Sequence, residues 1–329
     1  MRRTAVLTAA LIALLAGCTP DAETPPPAPS TPAATTASPT VESPTPSATP
    51  LATPSATPTP KPKPVRFDAR RVERDIRHLA TDIGPREATS RNFAEAADWV
   101  ERRLERLGYR VRRTRVSVPA GNSWGTPVRR GTSVNVIAEP RGFDRRSAHV
   151  VIGAHLDTVP VAPGAEDNAS GVAVMLELAR LAAAEPTDRP VQFIAFGAEE
   201  PRGPGDALHH FGSQQLVADL SRAERRAVSA MVALDRVGVR ADYVPVCRGG
   251  PGGADVQADL RRVGRREDIT TRGCENQTSD HWSYEKAGMP AARIGSVPYA
   301  GYHSRGDVPS VVSRGQLARV GRLMWAWLS

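Results

Sequence analysis

The sequence predicts an α/β protein: a three-layer sandwich in which a mostly parallel, mixed central β-sheet is flanked by helices. Three observations carry this reading. Short apolar runs of strand length alternate with longer amphipathic stretches of helical period. Acidic residues and histidines stand at the ends of the apolar runs, where open α/β sheets carry their functional groups. Gly-rich turns follow these positions.

In chain order, the first helix is expected over 68–80, with Val72, Ile76 and Leu79 on one face and Asp68 as its N-cap. A second helix over 89–107 repeats the pattern with Phe93, Ala97, Val100, Leu104 and Leu107, and Gly108 stops it. Residues 109–118 and 133–138 read as alternating, antiparallel neighbours. The run 150–153 is a buried strand, 168–184 a helix, 191–196 a buried strand and 205–220 a helix. Further on, 228–234 is a strand, 255–263 a helix, 291–294 a short strand and 314–327 the closing helix. There is no internal repeat.

Ahead of this domain the composition changes twice. Residues 1–17 combine Arg2 and Arg3 with an apolar run at 5–15. That run is too short to span a bilayer, which needs about 20 residues, so it reads as a secretory signal. It ends Leu15-Ala16-Gly17-Cys18, which resembles the bacterial lipobox and implies acylation of Cys18 as a membrane anchor. Residues 18–64 are Pro, Thr, Ser and Ala with almost no large apolar side chain, a composition that cannot build a core. As an extended tether rising about 3.1 Å per residue, this segment would reach on the order of 100 Å. The expected organisation is therefore signal (1–17), lipidated tether (18–64) and one large domain (65–329), placed outside the cytoplasm at the membrane. In that oxidising setting Cys247 and Cys274 are an even pair and candidates for a disulfide.

The formal charge is +8, from 43 Lys and Arg against 35 Asp and Glu, and only Lys61, Lys63 and Lys286 are lysines. No basic stretch is interleaved with stacking aromatics, so nucleic acid is not expected as a partner. A solvated basic surface is the simplest reading, with anionic wall polymers a weaker one. The chain is expected to act as a monomer.

Six residues carry the chemistry: His155, Asp167, Glu199, Glu200, Asp235 and His303. They stand in H-L-D-T-V-P, P-G-A-E-D-N-A-S-G, F-G-A-E-E, A-L-D-R-V-G and G-Y-H-S-R-G-D. Singly each has a bland explanation, since any of the seven histidines is more often a surface or core residue than a ligand. Jointly they do not, because several buried carboxylates without a partner are too costly. Two imidazoles and three carboxylates suit a pair of zinc ions, which take His nitrogen and carboxylate oxygen. A bridging carboxylate can hold two metals roughly 3.5–4 Å apart. The remaining carboxylate, Glu199, is then available as a general base. Asp167 precedes a turn into a helix, where capping geometry would fix its side chain.

In this order, H-x-D, P-G-A-x-D-N-A-S-G, A-x-E-E, L-D-x-x-G, S-D-H and Y-H-S-x-x-D resemble the co-catalytic zinc aminopeptidases of the aminopeptidase S and aminopeptidase Y type. The resemblance runs from about Val72 to the C-terminus and includes R-N-F-x-x-A-x-x-W-V-E-x-x-L-E-R-L-G-Y and N-V-I-A. It implies two Zn2+ ions, one on His155 and Asp235, the other on Glu200 and His303, with Asp167 bridging. Glu199 is then the base, Asp157 orients His155, Tyr302 binds the oxyanion, and Asp280 and Asp307 are structural or supporting acids. The implied substrate is a peptide with a free N-terminus. Two features depart from that pattern. Residues 201–211, with His209 and His210, lengthen the link from the Glu pair to Gly212-Ser213; the loop starts beside the cleft, and its histidines stand as a lid, as substrate contacts or as packing on the next helix. Arg236 replaces an apolar residue.

Other readings stand beside this one. H-x-D-x-V-P also occurs in a dinuclear family of carboxypeptidases and deacylases, but there the bridging Asp lies much further along and a dimerisation domain is inserted. Glutaminyl cyclase is a mononuclear relative on the same fold. A wall-tethered binding module on an inactive peptidase fold is the non-enzymatic reading, and such modules lose ligands that this chain keeps.

Overall fold

The computed structural model describes residues 65–329, so the signal, Cys18 and the tether lie outside the described residues. Asp68 caps α1 (Ala69–Arg77) by accepting from the Arg70 and Arg71 amides, and one π-helical turn, His78–Ile83, prolongs it. Ser90 caps α2 (Arg91–Arg106) through the Phe93 amide, and Gly108, at φ +91°, ends it. Strands β1 (Arg110–Val118) and β4 (Gly131–Glu139) pair antiparallel, as expected. Between them lies an unanticipated hairpin, β2 (Gly121–Ser123) and β3 (Thr126–Val128). The chain continues through β5 (His149–His155), α3 (Gly171–Ala184), β6 (Val191–Phe196), α4 (Phe211–Asp219) and α5 (Arg222–Ala227). It ends with β7 (Val228–Leu234), β8 (Val244–Arg248), α6 (Ala254–Arg266), β9 (Thr271–Glu275), α7 (His281–Lys286), β10 (Ala291–Ile294) and α8 (Arg314–Leu328).

Eight strands form one mixed sheet in the order β1-β4-β6-β5-β7-β10-β8-β9. The central four, β6, β5, β7 and β10, are mutually parallel. Antiparallel pairings join β4 to β6 and β8 to β10. Side chains along these strands alternate between two cores, as a pleated strand requires. Val150, Ile152 and Ala154 face one core with Phe193, Ala195, Val232 and Leu234. Val151 faces the other with Ile194, Phe196, Met231 and Ala233. The first core is covered by α1, α2, α3, α6 and α8, the second by α4, α5 and α7. This is the anticipated three-layer sandwich. Because both faces are covered, β5 and β6 are buried at every residue and read as unbroken apolar runs.

Three expectations are corrected. The helix expected from 168 begins at Gly171; Asp167 and Asn168 depart from helical φ/ψ, and the peptide between them is cis. Asp167 caps nothing; Asn168 takes the local hydrogen-bonding role. The helix expected over 205–220 is a short 3-10 turn, Asp206–Leu208, and then α4, separated by His210 in the left-handed conformation. Strands β8 and β9 were not anticipated, and they hold the Cys247–Cys274 disulfide directly across their parallel register.

Candidate metal centre

The parallel strands deliver the candidate ligands to one edge of the sheet. His155 ends β5, Glu199 and Glu200 follow β6, and Asp235 follows β7. The two remaining loops also follow strands of this parallel series, one after β5 and one after β10. Residues 163–170 bring Asp167, and the segment after β10 brings Tyr302 and His303.

These loops are tied to one another by side chains within the motifs. Asn168 Nδ2 donates to the Leu234 carbonyl at 2.8 Å, and its Oδ1 accepts from the Gly171 amide at 3.0 Å and the Arg236 amide at 3.2 Å. Ser170 Oγ accepts from the Val237 amide at 3.1 Å. Buried Glu166 accepts from the amides of Gly238 at 2.9 Å and Val239 at 3.1 Å. Gly171 is required here, since a Cβ would stand 2.2 Å from the Leu234 carbonyl oxygen. D-N-A-S-G thus binds the Asp167 loop to the strand end that carries Asp235. Asp307 closes the other side: its carboxylate accepts from the Glu166 amide at 2.8 Å and the Asp167 amide at 3.0 Å. Arg86, a residue the sequence did not single out, lies fully buried beneath this loop. Its guanidinium donates to the carbonyls of Leu156, Pro163 and Gly164 at 2.8, 2.7 and 2.9 Å.

Asp167 lies between the two imidazoles. Its Oδ1 is 3.1 Å from His155 Nε2 and its Oδ2 is 3.1 Å from His303 Nε2. Each histidine has a second carboxylate beside it: Asp235 Oδ1 at 3.7 Å from His155 Nε2, and Glu200 Oε2 at 3.4 Å from His303 Nε2. His155, Glu199 and Asp235 form one compact potential ligand group, and His155, Asp167 and Glu200 form another. All six residues brought together here were anticipated from sequence.

The supporting residues act differently from the expectation in one respect. His155 Nδ1 faces the Asp157 main-chain carbonyl at 3.1 Å, closer than the Asp157 carboxylate at 3.8 Å. The carboxylate instead accepts from the Glu199 amide at 3.0 Å and the Glu200 amide at 3.1 Å. One residue therefore fixes a histidine through its backbone and the Glu pair through its side chain. Arg293, also missed, is buried and pairs with Asp235 Oδ2 at 3.0 Å, while Oδ1 faces His155 and, at 3.8 Å, the Arg236 Nε. Asp280 is buried with neither carboxylate oxygen bonded among the described residues, and burial, then Glu199, pushes its carboxyl up to about 7. From the insert, His210 is buried with Nε2 3.3 Å from Glu199 Oε1, while His209 lines the cleft. Tyr302 is half-exposed, its ring stacked on His303 with centroids 3.6 Å apart. The Arg236 guanidinium lies 4.3 Å from the Tyr302 ring centroid, and its Nη2 donates to Ser296 Oγ at 2.8 Å.

The donor set fits divalent cations. Burial raises the Glu200 carboxyl well above its usual range, and the neighbouring charges of Asp167 and Glu199 add to that. Burial opposes ionisation of Asp235 too, yet Arg293 and then His155 hold it well below the usual range. Glu200 Oε1 and Asp235 Oδ1 are buried without a hydrogen-bond partner among the described residues. Such atoms require a partner, and His nitrogens with carboxylate oxygens are the ligands zinc accepts.

Residues 135–328 match the family model described as peptidase family M28. The chain belongs to peptidase family M28. Among relatives of this M28 chain, the Bacillus subtilis protein named aminopeptidase YwaD is 32% identical over 209 residues, covering 59% of this chain and 44% of that protein. A 68-residue stretch is 48% identical to the Mycobacterium tuberculosis protein named probable lipoprotein aminopeptidase LpqL, covering 20% of this chain and 13% of that one. The chain spans about half the length or less of the curated relatives it matches first. The fold is that of the B. subtilis zinc aminopeptidase BSAP (TM-score 0.68, 20% identity, covering 79% of this chain and 94% of that one). It is shared equally with Porphyromonas gingivalis glutaminyl cyclase (TM-score 0.68, 22% identity, covering 79% and 97%).

Proposed function

We propose that this M28 chain is a zinc-dependent exopeptidase, an aminopeptidase that removes N-terminal residues from peptides at a site holding two Zn2+ ions. The observation that supports it most is the Asp167 carboxylate, which turns one oxygen to His155 and the other to His303, each backed by a further carboxylate. In this reading His155 and Asp235 would hold one ion and Glu200 and His303 the other, with Asp167 available to both.

Bound metal would supply a lowered pKa for water and polarisation of the scissile carbonyl. The protein supplies the rest. Glu199, its amide held by Asp157, receives the proton of the attacking water on its carboxylate and returns it to the leaving amine. Tyr302, fixed by stacking on His303, donates its hydroxyl to the oxygen that becomes negative. Arg293 keeps Asp235 ionised, and Arg86 and Asp307 hold the Asp167 loop in register.

The test is hydrolysis of aminoacyl-anilides with free and N-blocked amines by zinc-loaded and chelated protein. Zinc-dependent cleavage of the free-amine substrates alone is expected. Cleavage of the blocked substrates, or cyclisation of an N-terminal Gln peptide without anilide hydrolysis, would refute the aminopeptidase reading.

The lipid anchor at Cys18 belongs to the same proposal, supported by the lipobox-like sequence and by the name of the M. tuberculosis relative. No helix among the described residues is long and apolar enough to cross a membrane. Cys18→Ser is expected to move the protein from the membrane fraction to the medium; unchanged fractionation would exclude the anchor.

A further inference from the structure

The β2–β3 hairpin has a sequence that suits its own turn poorly. Its two turn residues are Trp124 and Gly125, at φ +48° and +84°. A two-residue turn with both φ positive is normally filled by Asn-Gly, Asp-Gly or Gly-Gly. A bulky aromatic in that conformation is an outlier, and such outliers persist where the surroundings over-determine them, often at ligand clamps.

The surroundings do over-determine it. Asn122 Oδ1 accepts from the Gly125 amide at 2.7 Å, and the Asn122 amide donates to the Arg202 carbonyl at 3.0 Å. Gly121 packs so closely on Arg202 that a Cβ would lie 2.0 Å from the same carbonyl oxygen. Arg202 is itself buried and paired with Glu87. The hairpin is therefore fixed to the loop that leaves the Glu199–Glu200 pair, and its tip is positioned relative to the metal centre.

The tip carries the indole onto that centre. The Trp124 ring lies edge-on to His303 at 4.4 Å and to Tyr302 at 5.9 Å between centroids. It lines the same cleft as His155, Asp167, Glu199 and Glu200, yet it remains 57% exposed. Among the residues lining this cleft, the exposed aromatic surface comes from Trp124 and Tyr302, and Tyr302 is already engaged by His303 and Arg236. The cleft is small, about 130 Å³, below the usual range for drug-sized ligand sites, so it takes one substrate residue rather than a longer segment. An indole held open at a strained turn beside the candidate metal ligands is available to a substrate side chain, and Trp is among the residues that most often anchor bound partners.

We propose that Trp124 is a specificity-determining residue whose indole forms the apolar wall against the side chain of the substrate's N-terminal residue, favouring large apolar and aromatic side chains over glycine and alanine. This deepens the aminopeptidase reading and rests on it. It also gives the insert a part in specificity through Arg202, which carries the hairpin.

The test compares wild type, W124A and W124F on glycyl-, alanyl-, leucyl- and phenylalanyl-anilides, with thermal unfolding to confirm the fold. W124A is expected to lower the Phe-to-Gly ratio of kcat/KM by at least about 10-fold, the discrimination that apolar pocket contacts supply. The loss should fall mainly on KM, and W124F should restore most of the ratio. An unchanged ratio overturns the proposal. So does a uniform fall on all four substrates, which would assign Trp124 to support of His303. Calorimetry of phenylalanine hydroxamate and glycine hydroxamate on the same zinc-loaded proteins reads the preference without turnover. If the wild type cleaves no anilide, the aminopeptidase reading fails by itself and the hydroxamate pair decides the status of Trp124. A Phe preference present in wild type and lost in W124A supports the wall; one present in both or in neither overturns it.

Discussion

At the scale of single residues, the site depends on how few atoms serve several purposes. Asp157 fixes a histidine with its carbonyl and two glutamates with its carboxylate; Asp235 turns one oxygen to Arg293 and the other to His155 and Arg236. Glu199 is the residue whose role differs most from its neighbours', since its carboxylate is assigned to proton transfer rather than to holding metal. Glu199→Gln keeps size and shape and removes the carboxylate proposed as base. It is expected to leave zinc content unchanged and lower kcat at least about 100-fold, the lower range for a general base. Elemental analysis alongside steady-state kinetics checks this, and near-normal turnover would exclude the role. The six metal-centre residues were legible in sequence because each sits in a local string of strand end, acid or imidazole, and glycine. Arg86 and Arg293 were not, because their significance lies in partners far along the chain, and nothing local separates them from the other arginines. Trp124 was illegible for the opposite reason: its local context, a turn, argues against a functional tryptophan.

At the scale of elements, legibility followed burial. The apolar runs at 150–153, 191–196, 228–234 and 291–294 fall in the four central parallel strands, buried on both faces, where a continuous apolar sequence is the expected signal. The edge strand β9 carries Arg272, Gly273 and Glu275 and is largely solvated, so no apolar period marks it. Its neighbour β8 is short and contains Pro245. What holds this edge is partly covalent, the Cys247–Cys274 bond, whose residues were flagged by compartment and parity rather than by structure. For the insert after the Glu pair the sequence leaves lid, substrate contact and packing on the next helix open. Structure gives it two inward connections, His210 to Glu199 and Arg202 to the hairpin, that a view of it as a free lid does not contain.

At the scale of the whole molecule, the sheet brings together residues separated by nearly half the chain. β5, β6 and β7 lie side by side, so His155, the Glu pair and Asp235 emerge at the same edge. The Asp167 and His303 loops close over them and meet through Asp307. The fold does not by itself choose between an aminopeptidase and a glutaminyl cyclase, because it is shared with proteins of both names. The choice rests on Asp167 as a bridge. The most direct measurement is zinc bound per chain, by elemental analysis of washed protein, in wild type and Asp167→Asn. The two-metal account predicts about two equivalents in wild type and loss of at least one on substitution. A single equivalent in wild type that survives Asp167→Asn would contradict it.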